Sequence, residues 1–293
     1  MAVASETESP DLFWALRGAG QNMFGVVTQL EYQLHQSQDT QLFVTGDMPL
    51  DPHLLTAIGR KHAKAPGEFT FLLEGPVTKH GTTDALLTWF GEDDASLDDG
   101  EAYMKEHIMS LLPEDVATGM SFDRMSWSKM TSESGNFDGN LVRAWTGFLF
   151  EENNTEQIWD QIIEKFKSVC IGNPYLIVDI ELWGGEIANT EPEDTAFFYR
   201  NAVFNVGLGL IVPTDLKHAK RIFQDTVEQV DKAWWHISKV LEGVYTNYIV
   251  ESLSDKEYAR AYWGGNLERL EQLKERYDPD NVFHHPQSVH PSG

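Results

Sequence analysis

Ser9 to Gln36 reads SPDLFWALRGAGQNMFGVVTQLEYQLHQ. Ser9 stands where a helix N-cap belongs, and Pro10 stands at the first helical position, where a missing N–H costs nothing. Leu12, Phe13 and Leu16 supply the apolar side of a short helix. Gly18 and Gly20 stop it and let the backbone turn or approach a neighbour closely. From Val26 the pattern alternates. Val26, Thr28, Leu30, Tyr32 and Leu34 share one face and Val27, Gln29, Glu31, Gln33 and His35 the other, which predicts a half-buried strand. The glycines form neither GxGxxG nor a P-loop, since no Gly-Lys-Ser/Thr follows.

The other end of the chain is equally distinctive. Tyr262 to Ser288, YWGGNLERLEQLKERYDPDNVFHHPQS, reads as a helix carrying Leu267, Leu270 and Leu273 that ends at Asp278-Pro279. DLFWALRGAG followed by NMFGVVT, this tail, and the GG and TAFFYR segments between them are similar to FAD-linked oxidoreductases of the berberine bridge enzyme-like family, fungal type. Met23 is an extra residue against that pattern. The resemblance implies that Gly18, Gly20, Asn22, Gly25, Val26 and Val27 lie along FAD and that Asn266 and Asn281 lie near its isoalloxazine. From the residues alone, both asparagines read as helix-end and turn chemistry. The resemblance also implies an N-terminal subdomain that cradles the pyrophosphate and carries the covalent flavin attachment. This sequence has no counterpart of the attachment residues, so it reads as truncated at its start. A partner chain or an oligomer that covers the missing half is therefore expected.

The chain of 293 residues is 41% apolar and 12% aromatic, enough to bury a core. Its 22 Lys and Arg against 46 Asp and Glu give a net charge of −24, which should repel nucleic acid and anionic lipid. No apolar run reaches the ~18 residues of a membrane span. MAVASETESP is too acidic for a signal peptide, so a cytoplasmic location is expected. Cys170 is the one cysteine, which excludes an internal disulfide. The sequon Asn153-Asn154-Thr155 is read as chance.

Between the two ends, strands and helices alternate. QLFVTGDM reads as a strand, Pro52 to Ala65 as a helix, and EFTFLLEG with TTDALLTWFG as a strand pair. Glu92 to Asp99 reads as an acidic loop before a helix over Ala102 to Leu112. MSFDRMSWSKM is ambiguous, and SESGNFDGN is a loop. LVRAWTGFLFEE, YLIVDIELWGG and FFYRNAVFNVGLGLIV read as strands, with helices over Thr155 to Ser168 and Asp215 to Leu241. The expected fold class is α+β. An antiparallel sheet with covering helices forms a substrate domain over 41–245. The terminal segments, 1–40 and 246–293, belong to a truncated FAD-binding domain of the PCMH type.

VYTNYIVES, Val244 to Ser252, resembles the family's Tyr-x-Asn-Tyr segment, whose second Tyr is a catalytic base in some members, here Tyr248. On physical grounds alone Tyr248 reads as a buried phenol bonded to backbone. Glu181 is the second candidate. It shares a strand face with Ile177, Asp179 and Trp183, and two carboxylates cannot be buried unpaired without penalty, so their end of the face should meet solvent or a cavity. Val206 replaces an acidic residue of some relatives, and Arg200 reads as structural, pairing with acidic neighbours. His284, His285 and His290 do not make a metal site by spacing alone, and no metal is expected. The resemblance thus implies an FAD-dependent oxidation of a small organic molecule, with hydride passing to flavin N5 and fungal secondary metabolism as the setting. The competing expectation is a flavin-free remnant, acting as a binding module or a non-redox catalyst.

Overall fold

Strand β6 (Leu176–Leu182) shows how the fold is assembled. Leu176, Val178 and Ile180 are buried in the main core, while Ile177, Asp179 and Glu181 alternate to the opposite face. In the computed structural model, which describes residues 2–34, 38–62, 65–132, 138–254 and 257–292, this strand lies inside a seven-stranded sheet. The other strands are β1 (Thr40–Pro49), β2 (Phe69–Gly75), β3 (Thr82–Trp89), β4 (Ser121–Ser126), β5 (Asn140–Leu149) and β7 (Phe204–Pro213). Their order is β4-β1-β3-β2-β6-β7-β5, and every neighbouring pair is antiparallel. The β2–β6 pairing joins the two halves of the sheet.

One face of the sheet is covered. Helices α2 (Pro52–His62), α6 (Glu156–Cys170) and α7 (Ala219–Ile237) bury Leu55, Ile58, Trp159, Ile162, Phe166, Val230 and Trp234 against it. The Thr155 hydroxyl caps α6 by accepting from the Ile158 N–H at 3.3 Å. Cys170, near the end of α6, is buried, and burial pushes its thiol up to about 12.

Several expectations are corrected. The acidic run is not a loop: α3 (Asp94–His107) starts inside it, and the Asp93 carboxylate accepts from the Ser96 N–H at 2.9 Å. Carboxylates are favoured where a helix exposes N–H groups, so acidity marked a helix start. Two short helices, α4 (Glu114–Gly119) and α5 (Trp127–Ser132), flank β4. The strand expected from Phe197 begins only at Phe204. Ser9 adopts φ 47° and makes no side-chain cap bond at α1 (Pro10–Leu16), and Leu16 is exposed. Residues 26–34 form no strand either. They run without a ladder partner among the described residues, with Val26 75% and Leu34 83% exposed. A strand exists only through its neighbour's hydrogen bonds, and no edge of this sheet reaches the segment. His35 and Gln36, the tip of the expected helix at Ala63 and Lys64, and most of the expected loop (133–137) lie outside the described residues.

A second core joins the two ends of the chain. Leu12, Trp14, Ala15, Ala19, Met23 and Phe24 pack with Tyr258, Tyr262 and Trp263 of α8 (Tyr258–Trp263) and with Leu270 and Leu273 of α9 (Leu267–Tyr277). The Trp263 indole donates to Ala19 O at 2.9 Å, and Arg269 pairs with Asp11 at 2.8 Å. At its centre lies Lys274, which is 0% exposed. Its ammonium donates to Met23 O at 2.6 Å, Phe283 O at 2.5 Å and Asp278 Oδ2 at 2.7 Å. Asp278 also accepts from the N–H groups of Val282 and Phe283 at 2.8 and 2.9 Å. Burial pushes the Asp278 carboxyl up, but Lys274 and the two N–H groups outweigh it and hold the group below its ordinary value.

Removing one partner of a buried pair leaves the other charge uncompensated. Lys274→Met is therefore expected to lower unfolding free energy by about 3–5 kcal/mol in urea titration, and adding Asp278→Asn should recover part of the loss. Because the folded carboxyl is depressed, the pair's contribution is present above the ordinary Asp value of ~3.9. It should be lost as pH falls through the lower folded value.

Candidate functional site

The sheet face that the helices leave free carries the chemistry. β2 and β6 place Glu74 opposite Asp179, and β6 and β7 place Glu181 opposite Asn205. Residues 245–248 fold over this face as a turn, with the Tyr248 N–H donating to Tyr245 O at 2.9 Å. That turn brings the two sequence candidates together: Tyr248 Oη donates to Glu181 Oε1 at 3.4 Å. The other carboxylate oxygen, Oε2, accepts from the Trp183 indole N–H at 2.8 Å and from Asn205 Nδ2 at 3.0 Å. Glu181 is thus bonded through both oxygens, and it also lines a cleft of about 370 Å³ together with Phe69, Leu72, Trp183 and Gly184. Of the two alternatives, solvent or a cavity, Glu181 meets a cleft, whereas Asp179 does not line it.

The electrostatics of the face are one-sided. Burial, then the charges of Glu181 and Glu74, push the Asp179 carboxyl up to about 8. Its Oδ1 is inaccessible and has no hydrogen-bond partner among the described residues. Glu74, which still touches solvent, is raised by partial burial and by Glu181. Tyr248 is pushed far above the ordinary phenol value, by burial first and then by Glu181, Asp179 and Glu74. A phenolate is therefore opposed by its surroundings, and Tyr248 can accept a proton only as its own moves on to Glu181. Asp179 was legible as a neighbour of Glu181. Trp183 was legible in the same way, two residues on along that face, whereas Glu74 and Asn205 were not, because their place depends on strand pairing.

The glycine turn meets the site through its first half. Gly18 adopts φ +123°, and a Cβ there would lie 2.4 Å from Phe197 N. Gly20 adopts φ +99°, and its Cβ would lie 2.9 Å from the hydroxyl of Thr246, two residues before Tyr248. Both glycines are therefore used in packing. The second half is open: a Cβ on Gly25 would meet nothing within 4 Å, and Val26 and Val27 are exposed. Asn22, at φ 57°, is exposed as well. Asn266 is buried, and its amide donates to Pro192 O at 2.8 Å and Thr195 O at 3.1 Å, so it fixes the loop before β7. Asn281 adopts φ 49°, approaches His290 through Nδ2 at 3.3 Å, and keeps a buried, unpartnered Oδ1.

The remaining candidates resolve simply. Arg200 donates to the Thr195 hydroxyl at 2.5 Å and lies over the Phe197 ring; it feels the charge of Asp194 but makes no close ion pair among the described residues. Val206 is wholly buried on the helix-covered face. Phe148, Trp183, Phe197, Tyr199 and Ala202 form a third cluster, against which Tyr245 packs. Tyr245 meets Trp183 and Tyr248 edge-on, with centroids 5.1 and 5.3 Å apart. Among the described residues no three His, Cys, Asp or Glu side chains are grouped to hold a metal ion, and no helix is long and apolar enough to cross a membrane.

Residues 244–290 match the sequence model of the family described as "Berberine and berberine like". Chitooligosaccharide oxidase of Gibberella zeae is 24% identical over 98% of this chain and 60% of the relative. The FAD-linked oxidoreductase fogF of Aspergillus ruber is 27% identical over 95% of this chain and 58% of its own length. Among solved structures, the wild-type berberine bridge enzyme-like protein 1 of Physcomitrella patens superposes with a TM-score of 0.79 at 18% identity. That match covers 100% of this chain and 63% of the other, and at this identity it establishes the fold alone. The chain thus spans about 60% of the length of these relatives.

Asp179 gives a pH test. Its folded value is raised, so between ~4 and about 8 the native state holds a proton that the unfolded chain has released. Stability should fall across that window as pH rises, and level off above it. Asp179→Asn removes the effect. Its melting temperature is expected to equal that of the wild type near pH 4 and to exceed it by several degrees at pH 8.

Proposed function

We propose that this chain, a relative of the berberine bridge enzyme-like FAD-linked oxidoreductases, carries the substrate-side proton chemistry of an FAD-dependent oxidation of a small organic molecule. The observation that carries the reading is the Tyr248–Glu181 bond beside a cleft, with the glycine turn packed against the same segment. The oligosaccharide oxidase among its relatives supports a substrate whose reacting carbon bears a hydroxyl.

FAD, when bound, would supply the hydride acceptor. The open positions Gly25, Val26 and Val27 and the free Oδ1 of Asn281 are the residues whose exposure and unmet bonding suit contact with it. Gly18, Gly20 and Asn266 would shape that surface from behind. The chain's own contribution is to the proton. The substrate hydroxyl would donate to Tyr248 Oη, the Tyr248 proton would pass to Glu181 Oε1, and the phenol would end neutral while the carboxylate becomes the acid. No phenolate accumulates, which agrees with surroundings that oppose one. Trp183 and Tyr245, packed edge to face beside the pair, would keep bulk water from it.

Titrating purified protein with FAD and following flavin absorbance tests the first half of the reading. Stoichiometric binding is expected, and a folded chain that ignores FAD would remove the oxidoreductase assignment. In the flavin-loaded protein, Tyr248→Phe and Glu181→Gln should each lower kcat by roughly 10²-fold or more while leaving flavin affinity unchanged. Full turnover by Tyr248→Phe would exclude the phenol from the proton path.

A further inference from the structure

Glu181 has two oxygens, and only one of them faces Tyr248. Two residues that no part of the proton path requires determine which. Asn205 is 0% exposed and stands directly across from Glu181 on β7. Its amide has two ends, and an amide turned the wrong way would set its oxygen against a carboxylate. The Thr146 hydroxyl on β5, itself 2% exposed, prevents that by donating to Asn205 Oδ1. With the carbonyl end occupied, Nδ2 must point at Glu181, where it donates to Oε2 at 3.0 Å. The Trp183 indole donates to the same oxygen at 2.8 Å.

We infer that Asn205, oriented by Thr146, is a positioning residue that reserves Glu181 Oε2 and leaves Oε1 as the oxygen that receives the proton from Tyr248. The inference rests on the proton path proposed above but concerns a geometry that exists without it. Two N–H donors on Oε2 hold the carboxylate plane and weaken that oxygen as a proton acceptor. Oε1 has the Tyr248 hydroxyl as its partner at 3.4 Å, long enough to tighten when a substrate presses the phenol inward. The relay crosses three strands, β5 to β7 to β6, so each side chain is set by ladder register rather than by a loop. The charged groups that face Glu181 are Asp179 on its own strand and Glu74 on β2, with Tyr248 on the covering turn. Each adds or could add negative charge. A freely turning carboxylate would therefore find in Asn205 and Trp183 the donors that fix it.

Thr146→Val removes one hydroxyl and keeps the side chain's shape, and Thr146→Ser restores the hydroxyl. Side-chain amide NMR of the cofactor-free chain reads the geometry directly. The Asn205 NH₂ pair is expected to exchange slowly in the wild type and Thr146→Ser, and to broaden or move in Thr146→Val. It should also move in Glu181→Gln. In the flavin-loaded protein, kcat should fall about tenfold in Thr146→Val, the scale of one neutral hydrogen bond. KM and flavin affinity should not change, and Thr146→Ser should recover the rate. An Asn205 amide signal indifferent to Thr146→Val and Glu181→Gln would overturn the inference, as would equal kcat in Thr146→Val and the wild type. If the wild type itself binds no flavin, the proposed function fails, while the amide signals still decide whether Asn205 holds Glu181.

Discussion

A single ammonium group fixes the relation between the two ends of this chain. Lys274 is wholly buried and makes three short bonds, to Met23 O, Phe283 O and Asp278. An ammonium taken out of water is tolerated only when its donors are all engaged and a counter-charge is adjacent, and here both conditions hold. The consequence is geometric. The glycine turn cannot slide along the tail without leaving that charge unmatched. Because the turn is fixed, Gly20 stays against Thr246, and the segment that carries Tyr248 stays over the sheet. A bond near the end of the chain thus sets the position of a phenol that belongs to another segment.

The sheet face beneath that phenol is governed by charge of one sign. Burial and neighbouring carboxylates oppose the ionisation of Glu74 and Asp179, and together with Glu181 they oppose a phenolate at Tyr248. Neutral donors compensate: the Trp183 indole, the Asn205 amide and the Tyr248 hydroxyl all point at Glu181. Under the proposed proton path, Glu181 Oε1 is the acceptor already bonded to the Tyr248 hydroxyl.

Glycine and asparagine positions near the turn illustrate how one residue type can serve packing and exposure side by side. Gly18 and Gly20 are required where Phe197 and Thr246 approach, whereas Gly25 faces open space. Asn266 spends its amide on the carbonyls of the 192–196 loop, while Asn281 keeps an oxygen without a partner. Gly25 lies open, whereas the Asn281 oxygen is unpartnered but buried.

The amino-acid sequence by itself determined the element types over most of β1 to β7, the alternation that puts Asp179 and Glu181 on one face, and the likeness of both ends to one family, because these depend on periodicity and local residue chemistry. It misjudged residues 26–34, whose alternation is real but whose strand needs a neighbouring ladder, and residues 94–99, where acidity belonged to a helix start. Tertiary structure alone decided that Lys274, one of several charges on an amphipathic helix, is the buried one, and that Thr146, Asn205, Trp183 and Tyr248 converge on Glu181. Trp183 is two positions from Glu181, but Thr146, Asn205 and Tyr248 are tens of positions away in the chain. Strand register, a turn and a buried charge bring them within bonding distance, and none of these is a local property of sequence.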